Sequence, residues 1–337
     1  MKMSRWLVAI CAVCLFAGAA VAGGQRGTDS ATLRTAVEKG LGLLVKTSPN
    51  FIKRGGCNSC HSQFLPALAQ VVARKHGIDA GPDIAQMEGL QTDFSPERAL
   101  EFIVTGGANS VGYSMLNSEA RERSADIATD SFVHYLQSIQ ETDGRWRTIG
   151  NRPPMTYDDV TTTAMALRSL QAYAPESQRE DAQKRIARAG AWLLEVKPRS
   201  NHERVYRLLG ISWTKAGRQA IQGAVRELRA EQQADGGWAQ LPSMQSDAYA
   251  TGQALYALNQ AGGVPTTDPA YRRGVQYLLR TQAEDGSWHV KTRALPVQPY
   301  FDSGFPYGHD QWISSAGTSW AAMALALAVE PVKISSR

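Results

Sequence analysis

The sequence predicts an all-α fold: six helical hairpins stacked as a solenoid whose ends can meet in a ring. Three observations carry this. A seven-residue turn recurs, Gln140 to Trp146, Gln232 to Trp238 and Gln282 to Trp288, each with Asp-Gly at its centre. Each copy ends a stretch with apolar residues at helical spacing and is followed, after a loop, by a helix of small residues. No run alternates apolar and polar residues as a half-buried strand would.

The elements follow in chain order. Residues 1–22 read as a secretory signal, with Lys2 and Arg5 as its basic start, Trp6 to Val21 apolar, and Ala20-Val21-Ala22 as the cleavage site. The mature chain then begins at Gly23, one domain covers 23–330, and 331–337 is a tail. The apolar run is short for a membrane span, neither Cys11 nor Cys14 follows a small residue as a lipid-modified cysteine would, and no later segment is long and apolar enough to cross. The expectation is a periplasmic or secreted protein with no transmembrane anchor after cleavage. Ala36–Val45 and Ser62–His76 make the first hairpin, with Ser62 as cap, Pro66 in the first turn and Gly77 as stop. Glu97–Val104 and Val111–Glu119 make a shorter second. The third runs from Phe132–Leu136 to Thr163–Leu167, and the fourth, a degenerate copy, from Ile186–Val196 to Arg204–Trp213. The fifth ends in Thr251–Leu255, and the sixth pairs Val275–Leu279 with Thr318–Ala322.

At 43% hydrophobic and 20% charged, 337 residues can bury a large core. Of 36 basic residues the signal removes two and of 31 acidic residues none, leaving 34 − 31 = +3. With no dense basic run, nucleic acid is excluded as a partner.

Four cysteines become two on maturation, Cys57 and Cys60, and His61 follows directly. Cys57-Asn58-Ser59-Cys60-His61 has the attachment spacing of a c-type haem. Two thiols in one turn can add to the two vinyl groups on one porphyrin edge, and the next residue projects an imidazole at the iron. A Cys57–Cys60 disulfide would close a strained two-residue loop. A thioredoxin-type pair would want a preceding strand. A zinc site would need further ligands, and the mature chain has no other cysteine. The expectation is one covalent haem c held by Cys57 and Cys60, His61 as proximal ligand, and a redox partner protein. Spacing leaves the sixth position open among Met115, Met155, Met244, His309, water or nothing.

The Gln-x-x-Asp-Gly-x-Trp copies resemble the repeats of squalene-hopene cyclases and protein prenyltransferases over roughly residues 30–330. That resemblance implies an (α/α)6 toroid. More narrowly, the arrangement looks like a bacterial exported group of squalene-cyclase-like proteins carrying C-x-x-C-H. Cyclases of this kind protonate substrate with an Asp-x-Asp-Asp motif, whose middle acid would fall here on Asp158 of Thr156-Tyr157-Asp158-Asp159. Thr156 replaces the first aspartate, and squalene cyclases have two helical barrels where this chain has room for one. Cyclase activity is therefore not expected, and Asp158 or Asp159 reads equally as a helix N-cap, with Asp247 in the matching place of another repeat. Prenyltransferase zinc needs a cysteine the second half lacks. Toroids also host carbohydrate-active enzymes, in which the tryptophans would be sugar platforms; their repeat positions favour core packing.

The loop Leu295 to Trp312 is rich in Pro, Gly and aromatics, a composition that marks either a functional loop or a pinned connector. In a closed ring it reaches the same rim as His61. There Tyr300, Phe305, Tyr307 and Trp312 would shield the haem, and His309 would be sixth ligand or acid–base group. The candidate catalytic residues are thus Asp158, Asp159 and His309. The functional expectation is electron transfer, or a haem-dependent oxidoreductase acting on a small or apolar ligand in the toroid cavity. The alternatives are a cyclase-like isoprenoid-binding protein without a redox role, and a haem-based sensor or scaffold.

Overall fold

The protein is described from a computed structural model, which covers residues 29–55, 59–86 and 95–330. The predicted signal, Cys57 and the predicted tail lie outside the described residues. Within them the chain is helical, with two isolated backbone bridges and no strand. The inner helices are α2 (Leu65–Lys75), α4 (Gly107–Ala120), α6 (Asp159–Tyr173), α8 (Asn201–Trp213), α10 (Ala248–Gln260) and α12 (Gln311–Leu327). Each packs on the next, and α12 closes the ring against α2. Outside them lie α1 (Ser30–Gly55), α3 (Pro96–Leu100), α5 (Ile127–Ser138), α7 (Arg179–Glu195), α9 (Arg218–Ala230) and α11 (Pro269–Thr281). Among the inner helices α12 is small-residue and almost wholly buried, because it is walled by α1, α2, α10 and α11.

The repeated turn is the joint of this ring, and its residues have fixed tasks. The Trp indole N–H donates to the carbonyl of its own outer helix: Trp146 to Leu136 (2.7 Å), Trp238 to Leu228 (2.8 Å), Trp288 to Leu278 (2.8 Å). Its backbone N–H donates to a threonine hydroxyl on the following inner helix, Thr163, Thr251 or Thr318. The Asp carboxylate accepts the N–H two residues on, closing the turn. The glycine has positive φ and lies against the backbone of the next outer helix, where a Cβ on Gly286 would stand 2.6 Å from the Lys39 carbonyl carbon.

The glutamine then clasps the next hairpin: Gln140 Nε2 donates to Arg185 O, Gln232 to Ala270 O, and Gln282 to Ala36 O. The last of these joins the end of the chain to its beginning, so the ring closes with the bond that joins its interior repeats.

Two expectations differ in detail. The first inner helix is preceded by a π-helical turn, Cys60–Phe64, capped by Ser59, whose hydroxyl accepts from Ser62 N–H (3.0 Å). Ser62 does not cap it, because its own hydroxyl is bonded to His61 Nδ1 (2.8 Å). The second outer helix ends at Leu100, and Phe102 takes a left-handed φ of 59° that a helix through Val104 could not hold.

Candidate cofactor site at the N-terminal mouth of the ring

The starts of α2, α4 and α12 and the segment leading into α6 meet at one mouth of the ring, and His61 sits among them. It is 3% exposed. Phe51 meets its ring edge-on at 5.0 Å and Trp312 at 5.6 Å. Its carbonyl accepts from Ser315 on α12 (3.0 Å), across 254 residues of sequence. The adjoining turn is pinned as well, with Gln63 Nε2 donating to Ser48 O (2.8 Å). With Nδ1 bonded to Ser62, the remaining ring nitrogen, Nε2, lies 3.4 Å from Arg152 Nη1. Burial, aided by the Arg152 charge, pushes the imidazole pKa well below its usual range, so His61 is neutral. The Arg152 guanidinium lies 4.1 Å over the Trp312 ring.

Two cavities share this centre. The larger, about 590 Å³, is lined by Cys60, His61, Phe64, Ile149, Met155 and Trp312, with Arg98 and Arg152 as cations. The smaller, about 110 Å³, lies under the loop Leu295 to Trp312 and includes His61, Tyr300, Phe301 and His309. Burial pushes the Cys60 thiol up to about 12, against the pull of Arg152, so in the cavity it is protonated.

This donor set fits a c-type haem. A haem-ligating imidazole must be neutral, and it is oriented by a partner on its second nitrogen; Ser62 supplies that partner. Cys60 faces the same cavity from the same turn, and apolar walls with two arginines suit a flat apolar macrocycle carrying carboxylates. Among the described residues no group of three or more His, Cys, Asp or Glu side chains could hold a bare metal ion.

The loop Leu295 to Trp312 does arrive at the rim of His61. Trp312 and Tyr300 line the site, but Phe305 is buried elsewhere and Tyr307 bonds Ser287 (2.7 Å) and stacks on His289. His309 is exposed, its ring 4.6 Å from that of Tyr300. Of the methionines, the structure brings Met155 to the Cys60–His61 cavity. Met115 is a core residue beside a separate cavity. Trp312 stands beside His61 as the closed ring led us to expect, whereas sequence spacing gave no signal for Arg152 or Arg98.

Asp158 and Asp159 have different places. Asp158 caps α6, its Oδ1 accepting from Thr161 N–H (2.7 Å) and its Oδ2 from the Thr161 hydroxyl (3.1 Å). His202 Nε2 stands 3.9 Å away, and His202 is itself lowered to about 4 by burial. Desolvation raises the Asp158 carboxyl to about 6 against the pull of the Thr161 bonds, and the Asp159 charge adds to the rise. Asp159 accepts from Thr148 N–H (2.8 Å). Asp247 caps α10 in the same way, bonds Gln240 (3.0 Å), and is likewise raised to about 6 by burial. The paired geometry makes capping a repeat feature of the ring, and His202 is what sets Asp158 apart from Asp247.

Comparison with known proteins places the fold. Residues 205–307 match the squalene-hopene cyclase C-terminal domain family. Drimenyl diphosphate synthase of Streptantibioticus cattleyicolor is 27% identical over 262 residues, 71% of this chain and 44% of that enzyme, so the chain spans less than half of this curated relative. A protein from Actinoplanes superposes with a TM-score of 0.59 at 16% identity, covering 90% of this chain and 100% of that one. A type II terpene cyclase from Scytonema, bound to geranylgeranyl dihydroxybenzoate, superposes with a TM-score of 0.53 at 13% identity, covering 89% and 98%. The architecture is therefore the helical toroid of terpene cyclases, as the repeats implied. No helix among the described residues is long and apolar enough to cross a membrane.

Proposed function

We propose that this protein is an exported, periplasmic c-type haem protein on a terpene-cyclase-like toroid, with one haem joined to Cys57 and Cys60 and ligated by His61. The observation that carries this reading is His61 itself. It is a buried, neutral imidazole pinned through Nδ1 and through its carbonyl, at the wall of a cavity that Cys60 also lines. When bound, the haem supplies one-electron exchange, or redox chemistry on a small or apolar ligand, with a redox partner protein as electron source. The chain's own residues orient the imidazole (Ser62, Ser315), exclude water from it (Phe51, Trp312) and offer cations to carboxylates (Arg98, Arg152). Met155 in the larger cavity and His309 in the smaller are the candidates for the sixth position. Co-expression with the cytochrome c maturation machinery followed by acid–acetone extraction tests the claim: haem should stay with the polypeptide and be lost in Cys57→Ser with Cys60→Ser. Extraction of all haem from the wild type would overturn it.

A second reading is favoured by the likeness to terpene cyclases and by the buried Asp158–His202 pair. On it the toroid binds an isoprenoid without a redox role. Incubation with squalene or oxidosqualene, scored for cyclic product lost in Asp158→Asn, separates the two. Absence of Asp-x-Asp-Asp leads us to expect no product.

A further inference from the structure

The opposite mouth of the ring, where the inner helices end, holds a separate cavity of about 260 Å³. Every inner helix contributes a wall: Leu68, Leu116, Arg168, Trp213, Tyr256 and Trp320, from α2 to α12 in order. Phe64 lines both this cavity and the one beside His61, and it is the one residue the two linings share.

Two buried polar atoms of its lining are unmatched, the Tyr113 hydroxyl and the Trp320 indole N–H, and of these the indole can only donate. The indole N–H groups of the three repeat tryptophans each find a backbone carbonyl. Trp320 is 2% exposed, lines this cavity, and its Nε1 has no hydrogen-bond partner. A buried donor without an acceptor is costly, and native structures keep few of them without a reason. The surroundings restrict what could answer it. Aromatic and leucine walls call for an apolar body, the polar side chains beside them (Asn117, Glu119, Arg168 and Lys75) for a polar group on it, and the volume sits below the usual range of about 300–1,000 Å³ for drug-sized ligands, so the body is small.

Charge argues against a buried anion. Arg168 is already bound to Glu119 (Nε to Oε2, 3.0 Å) and lies 5.8 Å from the Trp213 ring centre, the other lining cation, Lys75, is exposed to solvent, and the ends of six inner helices carry negative partial charge. Because that guanidinium already lies over Trp213, a cationic ligand finds this face taken.

We propose that the C-terminal mouth is a binding site for a small, neutral, mainly apolar ring molecule carrying a carbonyl-type acceptor, which takes the Trp320 N–H. The site is independent of the haem reading, since it shares only Phe64 with the other mouth.

Calorimetric titration of the full chain with 1-tetralone, and with tetralin as the same skeleton without its oxygen, tests this. The ketone should bind about tenfold more tightly than the hydrocarbon, the worth of one net hydrogen bond. Trp320→Phe keeps the ring and removes the donor, so the ketone should fall to the hydrocarbon's affinity while tetralin changes little. Leu209→Trp, which fills the cavity from α8, should abolish both. Equal binding of the two probes by the wild type, a ketone preference that survives Trp320→Phe, or undiminished binding in Leu209→Trp would each overturn the assignment, as would tighter binding of tetramethylammonium than of tetralone. Because the readout is heat of binding, these outcomes stand whether or not haem is attached at the other mouth.

Discussion

Asp158→Asn should stabilise the protein, and by an amount that grows with pH. Burial holds the Asp158 carboxyl at about 6 against 3.8 for an exposed aspartate, so the folded state binds this proton more tightly than the unfolded chain does. The sign follows: the favourable contribution is present at low pH and is lost as pH rises from about 4 to about 6. Measured from the low-pH limit, about 1 kcal/mol is lost by about pH 4.5, where the unfolded chain has ionised but the folded carboxyl is still protonated, and about 3 kcal/mol by about pH 7.5, where the folded chain carries a charge in a dry site. Asparagine can accept the same Thr161 N–H and caps a helix as well as aspartate does. The variant should therefore gain about 2 kcal/mol on the wild type between those two pH values. His202 also titrates low, at about 4, but does so in both proteins and largely cancels in the difference, as do Glu203 and Arg293 nearby. Urea unfolding followed by far-UV circular dichroism at both pH values measures the gap. A difference independent of pH would refute the claim that Asp158 is a desolvated carboxyl.

Gln282→Ala removes the clasp on Ala36 that closes the ring and should cost about 1–3 kcal/mol. Amide exchange should speed up in α1, whereas Gln140→Ala, at about equal cost, should loosen α7 instead. Thr163→Val leaves the buried Trp146 N–H without its acceptor and should lower stability by about 1–3 kcal/mol in denaturant titration, with the fold retained. In the haem-loaded protein, replacing the sixth ligand should shift the Soret band. Met155→Ala and His309→Ala are each to be compared with the wild type, and Met115→Ala, facing another cavity, should leave the spectrum unchanged.

The repeat was legible in sequence because each of its bonds is local or recurs. The Trp, the Asp-Gly turn and the inner-helix threonine lie within one hairpin, so the same residues return at each joint and announce the ring. The proposed haem motif, Cys57 to His61, was legible for the same reason, since its five residues are adjacent in sequence. Asp158 and Asp247 as caps could be read from a single helix start each. What surrounds these residues could not. Arg152 reaches His61 across 91 residues, Ser315 across 254, and His202 approaches Asp158 from the next inner helix. None of those pairs has a spacing that recurs, because they are set by how the ring closes. Closure alone decided that His61 would be dry and neutral, whereas the arrival of the loop Leu295 to Trp312 at its rim already followed from the order of the repeats. Closure also gathered six helix ends into a second cavity, leaving the Trp320 donor unmatched. A local pattern fixes which residues fold into a hairpin; burial and the dielectric around a charge depend on every hairpin at once, and only the assembled ring sets them.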